Sequence, residues 1–489
     1  MILKNWTDDT CADSELMRKH EVGGVIMNKD GFSLPEYVLV FLVFIIALTG
    51  AASIPMEQCP DEKARSLVSD WIEKTGTLPS GNEWQTMNMN WEDNTALSGK
   101  IKAGIEIHGW GFSYALRPYL TAILSAVFLS TAKQFTTSPR VLLTASRMGS
   151  VLSLMFCCIY CLRLGHRLFE RRSSAAFLAA FVCFLPQVMF LGMYQNNDVF
   201  SLLTVCMMLY YWVEGYERKW PMRSCIALGV SCSLGLLSYY TIYGWILMIM
   251  AFCVLAVLSD TEISDKRSLI LKRTALIALI CFFLAGWFFI RNVIIHDGDI
   301  WGLRSEEASR NRMREQGYLL YDYVRYRDTG RSIMDFLRLR DGEFLRMTGQ
   351  SFIGVFGYMV FYLSGETYGV YGTVIGFGVL IYVMVLLHDR PNRLHKLLIL
   401  MMLISGVIVF ALHIWSSYAR DYQPQGRYVI TIALILGYMI SYGLDRTTIM
   451  IQKGEPGQDT KLYLASILTV GWTVLFAWSA CSTMSKMLL

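Results

Sequence analysis

The sequence predicts an all-α polytopic membrane protein of about eleven transmembrane helices, with amphipathic helices added on its outer side. Of 489 residues, 54% are hydrophobic and 17% charged, against roughly 25% charged in an average soluble protein. Mean hydropathy is +0.40. The apolar residues also come in blocks separated by short charged clusters, and a helix needs about 20 such residues to cross about 30 Å of hydrocarbon. This composition excludes a disordered chain, a collagen-like repeat and a small disulfide scaffold.

The first apolar block runs from Glu36 to Ile54, and Arg18, Lys19, His20 and Lys29 precede it. Residues 1–35 are therefore expected to form a cytoplasmic segment, with 36–489 as a single transmembrane domain; the block ends without an A-x-A-type cleavage site. Further blocks lie near 141–162, 173–192, 198–213, 224–240, 241–258, 274–290, 369–387, 397–414, 426–443 and 462–482. Two weaker blocks, 112–131 and 348–364, are read as interfacial or re-entrant. With both left out, Arg163, Arg167, Arg171, Arg172, Arg218, Lys219, Arg223, Lys266, Arg267, Lys272 and Arg273 all fall in cytoplasmic loops. The short outer turns around Gln195 and Tyr240 then carry no Lys or Arg. That is the positive-inside pattern, and it puts the N-terminus inside and the C-terminus outside.

Two long segments, 55–111 and 291–346, then face the outside or a lumen. The first has nine acids against five Lys or Arg; the second has eleven Arg, no Lys and ten acids. Guanidinium groups make bidentate contacts to phosphate and carboxylate, which gives an arginine-only loop chemical interest. Of twelve cysteines, ten lie in apolar blocks, where they read as small buried hydrophobes. Cys158 and Cys161 form a CxxC with no His or second CxxC nearby in sequence, which is not a zinc or redox signal.

Just after the first span, Pro60-Asp61-Glu62 opens a stretch in which Ala64, Leu67, Val68 and Trp71 recur with helical spacing. Asp61 and Glu62 are thus expected at a helix start, where the macrodipole favours an ionised carboxylate. Such an acid can take a proton from an attacking hydroxyl or ligate a divalent cation; the plainer reading is two helix-start residues. Arg147 lies inside its span near the outer end, Asp198 follows Asn197, Arg291 ends a span, and Gln425-Gly426-Arg427-Tyr428 begins one. Charges at these depths are costly and mark function, the alternative being structural ion pairs and snorkelling arginines. His108, Asn197, Gln425 and Tyr428 complete the set of site candidates. Gly109-x-Gly111 and Gly376-x-Gly378 are lone pairs, not phosphate cradles.

The order of these motifs resembles the GT-C glycosyltransferases, which use polyprenyl-phosphate sugars and include protein mannosyltransferases and the lipid A aminoarabinose transferase. The likeness rests on the first span followed by Pro-Asp-Glu, an outer Asn-Asp at 197–198, Trp287-Phe-Phe-Ile-Arg291-Asn292 followed by Gly298-Asp299, and Gln-Gly-Arg-Tyr at 425–428. It implies a GT-C-like fold and transfer of a sugar from a polyprenyl-phosphate donor to an acceptor on the outer or lumenal side, with inversion at the anomeric carbon. It also implies that Asp61, with Glu62 beside it, is the catalytic carboxylate. Arg291, Arg427 and Arg147 would bind the donor phosphate, and Asp61 is the candidate ligand for a divalent cation, Mg or Mn. The expected setting is a bacterial plasma membrane with the site on the outer face and the bilayer and lipid donor as partners. No helix-turn-helix, zinc finger or polybasic face suggests nucleic acid. A transporter or flippase, and a ligase of lipid-linked glycans, are the competing readings. The former predicts internal repeats and acids near mid-membrane, whereas the acids here cluster at the outer surface.

Tags placed in 55–111 and 291–346 should be accessible from outside, and tags after Arg171 and after Lys266 from inside. Opposite accessibility of positions 29 and 171 would overturn the topology.

Overall fold

The computed structural model describes residues 31–81, 113–315, 325–454 and 464–487. The chain divides into two compact units, Met1–Tyr37 and Val38–Leu489. In the first, the Ser33 backbone N and hydroxyl donate to Glu36 Oε2 (2.6 and 2.9 Å). A side chain three residues on thus satisfies the free donor that precedes α1, Leu34–Ser53.

In the second unit, α2 spans Glu62–Thr75, α3 Leu120–Lys133, α4 Pro139–Leu168, α5 Arg172–Cys183, α6 Pro186–Leu191 and α7 Asp198–Glu217. They are followed by α8 (Met222–Leu236), α9 (Tyr243–Ser259), α10 (Lys266–Ile295), α11 (Leu303–Glu315), α12 (Ile333–Arg338) and α13 (Glu343–Ile353). An antiparallel pair, β1 (Val355–Phe356) and β2 (Phe361–Tyr362), sets Val355 opposite Tyr362 and Phe356 opposite Phe361. The last four helices are α14 (Gly365–His388), α15 (Arg393–Ala419), α16 (Ile432–Gly454) and α17 (Leu464–Met484).

Eight helices among the described residues are long and apolar enough to cross a membrane: α1, α4, α7, α9 together with the 3-10 turn Tyr240–Ile242 before it, α10, α14, α15 and α17. The chain is an integral multi-pass membrane protein, as its composition implies. The other three of the eleven expected blocks are not among these eight. Block 173–192 splits into α5 and α6, because Pro186 has no N–H to continue a helix. Block 224–240 yields the 15-residue α8, and block 426–443 opens with a 3-10 turn, Gly426–Val429, before α16. The twelve residues of α5 rise about 18 Å, well short of the hydrocarbon thickness. Neither weak block forms a helix of spanning length: 112–131 becomes a 3-10 turn and α3, and 348–364 ends α13 and folds into the hairpin.

Packing separates an inner layer from a lipid-facing one. In α7, 78% of the apolar window is buried, against 22% in α10 and in α14. Phe282, Phe283 and Phe377 are exposed, and such ridges face acyl chains rather than water. At one end of the bundle α2 packs on α3, and α3 on α4. Leu67 and Val68 of α2 join Tyr119, Ala122 and Phe288 in one apolar cluster that seats α2 on the bundle.

One ion pair ties this end together. Arg147 and Glu62 are both 0% exposed; Nε and Nη2 donate to Oε1 (2.8 Å) and Oε2 (2.5 Å). Arg147 Nη1 donates to the carbonyls of Ala51 (2.8 Å) and Ile54 (2.7 Å) at the end of α1, and Glu62 Oε1 also accepts from Gln195 N (2.8 Å). Removing one partner of a buried pair leaves an uncompensated charge, at a cost of about 3–5 kcal/mol. Arg147→Ala and Glu62→Gln should therefore each lower the unfolding temperature in detergent sharply. Wild-type melting in both variants would show that the pair is not structural.

Candidate functional site

Asp61 sits at the turn into α2, with φ 62° and ψ 3°. A non-glycine residue in this left-handed region is uncommon, Asp being one of the few that tolerate it. Glu62, locked to Arg147, fixes the residue next to it, and Asp61 is left half-buried with 35% of its side chain exposed. Its Oδ2 accepts from Arg427 Nη2 at 2.7 Å, and Arg65 Nη2, one helical turn on, is 4.0 Å from the same oxygen. Arg65 also donates from Nη1 to Gln195 O (3.2 Å) and lies over the Tyr114 ring at 4.9 Å. Arg427 lies over Tyr428 at 5.1 Å and donates to its hydroxyl (3.2 Å).

Arg427 is placed by backbone contact. A Cβ on Gly426 would fall 2.1 Å from Phe352 N in α13, so only glycine fits there. Gly426 N also donates to Ser351 Oγ (2.7 Å). The neighbouring guanidinium, 6% exposed, is thereby aimed at Asp61.

Burial alone would raise the Asp61 carboxyl, but the Arg427 and Arg65 guanidiniums overcome it and hold it at about 2. Asp61 is then ionised throughout the neutral range. The stability this adds is present above the ordinary value of 3.8 and is lost as pH falls toward 2.

The site has more hydrogen-bonding capacity than it uses. Arg427 Nε and Nη1, Arg65 Nε, Asp198 Oδ2 and the Tyr194 hydroxyl are buried with no hydrogen-bond partner among the described residues. Asp198 and Tyr194 are electrostatic neighbours of Arg427. Unsatisfied buried polar atoms are costly, and where several converge they mark a place for a polar ligand.

Of the residues expected from sequence, the structure brings Asp61, Arg427, Tyr428 and Asp198 to this end of the bundle. Glu62 and Arg147 are turned onto each other, so Arg147 directs its donors to Glu62, Ala51, Ile54 and Cys59 and presents none to a donor phosphate. Arg291 Nη2 donates to the carbonyls of Leu78 (3.3 Å) and Pro79, and its Nη1 is buried without a partner among the described residues. Asn197 bridges elements: its Nδ2 donates to Pro118 O (3.2 Å) and Ser238 O (3.1 Å), and Oδ1 accepts from Thr121. Gln425 Nε2 donates to Gln423 Oε1 (2.6 Å). His108 lies outside the described residues. Sequence reasoning missed Arg65, whose signal is its four-residue spacing from Asp61, and Tyr194 and Tyr114, which have no local signal.

As a divalent-cation site these residues fit poorly alone. Two guanidiniums flank the carboxylate, whereas Mg and Mn favour several oxygen ligands without nearby positive charge. Among the described residues, three cation-ligand groups converge only at Cys157, Cys161 and Cys206 of α4 and α7. There Cys206 approaches Cys157 at 3.5 Å and Cys161 at 3.7 Å, a proximity that the CxxC spacing did not announce.

Residues 120–287 match the family of dolichyl-phosphate-mannose-protein mannosyltransferases. No curated protein matches the chain. Among solved structures, ArnT from Cupriavidus metallidurans is similar both in the apo state and bound to undecaprenyl phosphate. The TM-score is 0.47 in each case, with 13% and 14% identity, covering 90% and 91% of this chain and 69% and 70% of theirs. The Archaeoglobus fulgidus oligosaccharyltransferase in complex with Zn and sulfate aligns with TM-score 0.47 and 10% identity over 90% of this chain and 53% of that one.

One buried acid further along α2 was invisible in the sequence. Asp70 on α2 is 1% exposed, neither carboxyl oxygen has a hydrogen-bond partner among the described residues, and burial pushes it up to about 7. A raised carboxyl costs stability only where the folded protein must ionise it: not at all below 3.8, increasingly up to about 7, and fully above. Asp70→Asn should therefore melt above wild type at pH 8, with the gain gone by pH 4. A variant less stable than wild type at pH 8 would contradict the assignment.

Proposed function

We propose that the chain transfers a sugar from a polyprenyl-phosphate donor to an acceptor hydroxyl at the outer or lumenal face, with Asp61 as the base and Arg427 on the donor phosphate. The observation that carries this reading is the pair of buried guanidiniums, Arg65 and Arg427, converging with unsatisfied N–H groups on one carboxylate at the ends of the spans. The family match over 120–287 supports it, as does the undecaprenyl phosphate bound by the similar ArnT.

The chemistry follows from these groups. The acceptor oxygen attacks the anomeric carbon from the face opposite the phosphate, the bond from that carbon to the phosphate oxygen breaks, and the configuration inverts. The bonding pair leaves on the lipid phosphate, whose developing charge the guanidiniums stabilise in a poorly hydrated site. Asp61 takes the acceptor's proton. No nucleotide takes part, which agrees with the lack of a glycine-rich phosphate loop in the sequence. Arg291 enters through Nη1 alone, and Glu62 and Arg147 act by holding Asp61 in place. The setting that suits this chemistry is a bacterial plasma membrane with the site on the outer face. A divalent cation, if the enzyme uses one, would need the donor's phosphate charge beside Asp61.

Membranes containing the protein, incubated with radiolabelled polyprenyl-phosphate sugars, should pass label to an acceptor. Asp61→Asn should cut turnover about 100-fold or more, and Arg427→Ala should weaken donor use by roughly 10- to 150-fold. Near-normal turnover in Asp61→Asn, with Asp198→Asn inactive, would move the base to Asp198.

A further inference from the structure

We propose that Asp61 occupies the place of the donor's phosphate in the ligand-free protein. Arg65 and Arg427 form one cradle for a polyprenyl phosphate, and binding of that phosphate frees the Asp61 carboxylate for the acceptor. The inference rests on the functional reading above and adds to it an order of events and a second phosphate ligand, Arg65.

The atoms of Arg427 carry the argument. A guanidinium meets an oxyanion bidentately along one of two edges, Nε with Nη2 or Nη1 with Nη2. Nη2 contributes one N–H to each edge, and both are engaged: Asp61 accepts at 2.7 Å and the Tyr428 hydroxyl at 3.2 Å. The other members, Nε and Nη1, are buried and without a partner among the described residues. Neither fork is therefore complete while both contacts stand, and once Asp61 leaves, the fork on its side is open to a phosphate.

Arg65 points to the same position. Its Nη2 lies 4.0 Å from Asp61 Oδ2, the oxygen that accepts from Arg427, so one small anion at that point meets both cations. Its Nε is a third buried N–H without a partner among the described residues. A carboxylate offers two oxygens and one charge, whereas a terminal phosphate offers more oxygens and nearly two charges and answers all three nitrogens.

The surroundings allow Asp61 to move and offer nothing else for the task. Its side chain is 35% exposed, so a change of rotamer carries it toward open space. Of the other charged and titratable groups at this point, Glu62 is bound to Arg147, Tyr114 lies under Arg65 and Tyr428 under Arg427. Asp198 and Tyr194 stay beside Arg427. The freed carboxylate is then the one acid among these released by the donor itself, which makes donor binding the first step and acceptor activation the second.

The test is a sign. Affinity for undecaprenyl phosphate is measured by thermal shift and by calorimetry on the full chain in detergent. If Asp61 competes for the cradle, Asp61→Asn should tighten binding by about tenfold, the scale of one partly exposed charge pair, while turnover falls. Arg65→Gln and Arg427→Gln should each weaken binding. In an Arg427→Gln background the effect of Asp61→Asn should shrink to less than about twofold, because no latch is left to open. Binding by Asp61→Asn that is equal to or weaker than wild type overturns the proposal, and so does tightening that persists without Arg427, which would be plain repulsion. Asp61→Ser is read the same way should the Asn variant not fold. Failure of the wild type to bind undecaprenyl phosphate overturns the functional reading as well, whereas binding with the wrong sign overturns only this inference.

Discussion

The buried pair of Arg147 and Glu62 is the contact on which the site's end of the bundle depends. Two charges without solvent would be prohibitive alone, and they are tolerable here because other groups complete their hydrogen bonding. Arg147 takes the last carbonyls of α1, which a helix leaves without partners, and Glu62 takes the Gln195 amide ahead of α7. Four segments thus meet at one pair: the end of α1, the start of α2, the first third of α4 and the turn before α7. The turn that forces Asp61 into a left-handed conformation is held by this knot.

Two carboxylates adjacent in sequence therefore have opposite surroundings. Glu62 is enclosed with a guanidinium and an amide, a structural position. Asp61, one residue earlier, is half-open and faces two arginines that keep unused N–H groups. The sequence shows both acids at the start of a helix but cannot show which is turned inward, because that depends on an arginine 85 residues away.

The fold was legible where hydrophobicity alone decides it. Blocks of about 20 apolar residues became α1, α4, α10, α14 and α15, and the weak blocks did not become spanning helices. Pro186 is visible in the sequence, but the split into α5 and α6 does not follow from it alone, since a proline in a buried span is often tolerated as a kink. At the site, Asp61 and Arg427 were legible as charges at span ends, and their contact was not, because it joins residues 366 apart. Arg147 looked like a ligand-binding charge by depth alone; its partners settled its position and lie on other elements. Arg65 and Asp70 sat in a polar stretch that gave no reason to expect burial.

The close approach of Gly426 to Phe352 also has a mechanical meaning. Most guanidiniums in proteins hang from a flexible stem on a backbone that can itself give way. Here the backbone at the base of Arg427 abuts the backbone of α13 with no side chain between them, so the joint has almost no compliance. Movement of α13 passes to Arg427 undamped, and the stem of the arginine is the only soft element between that helix and the Asp61 oxygen. The stiffness of the site is thus set from outside it, by the helix against which Gly426 packs.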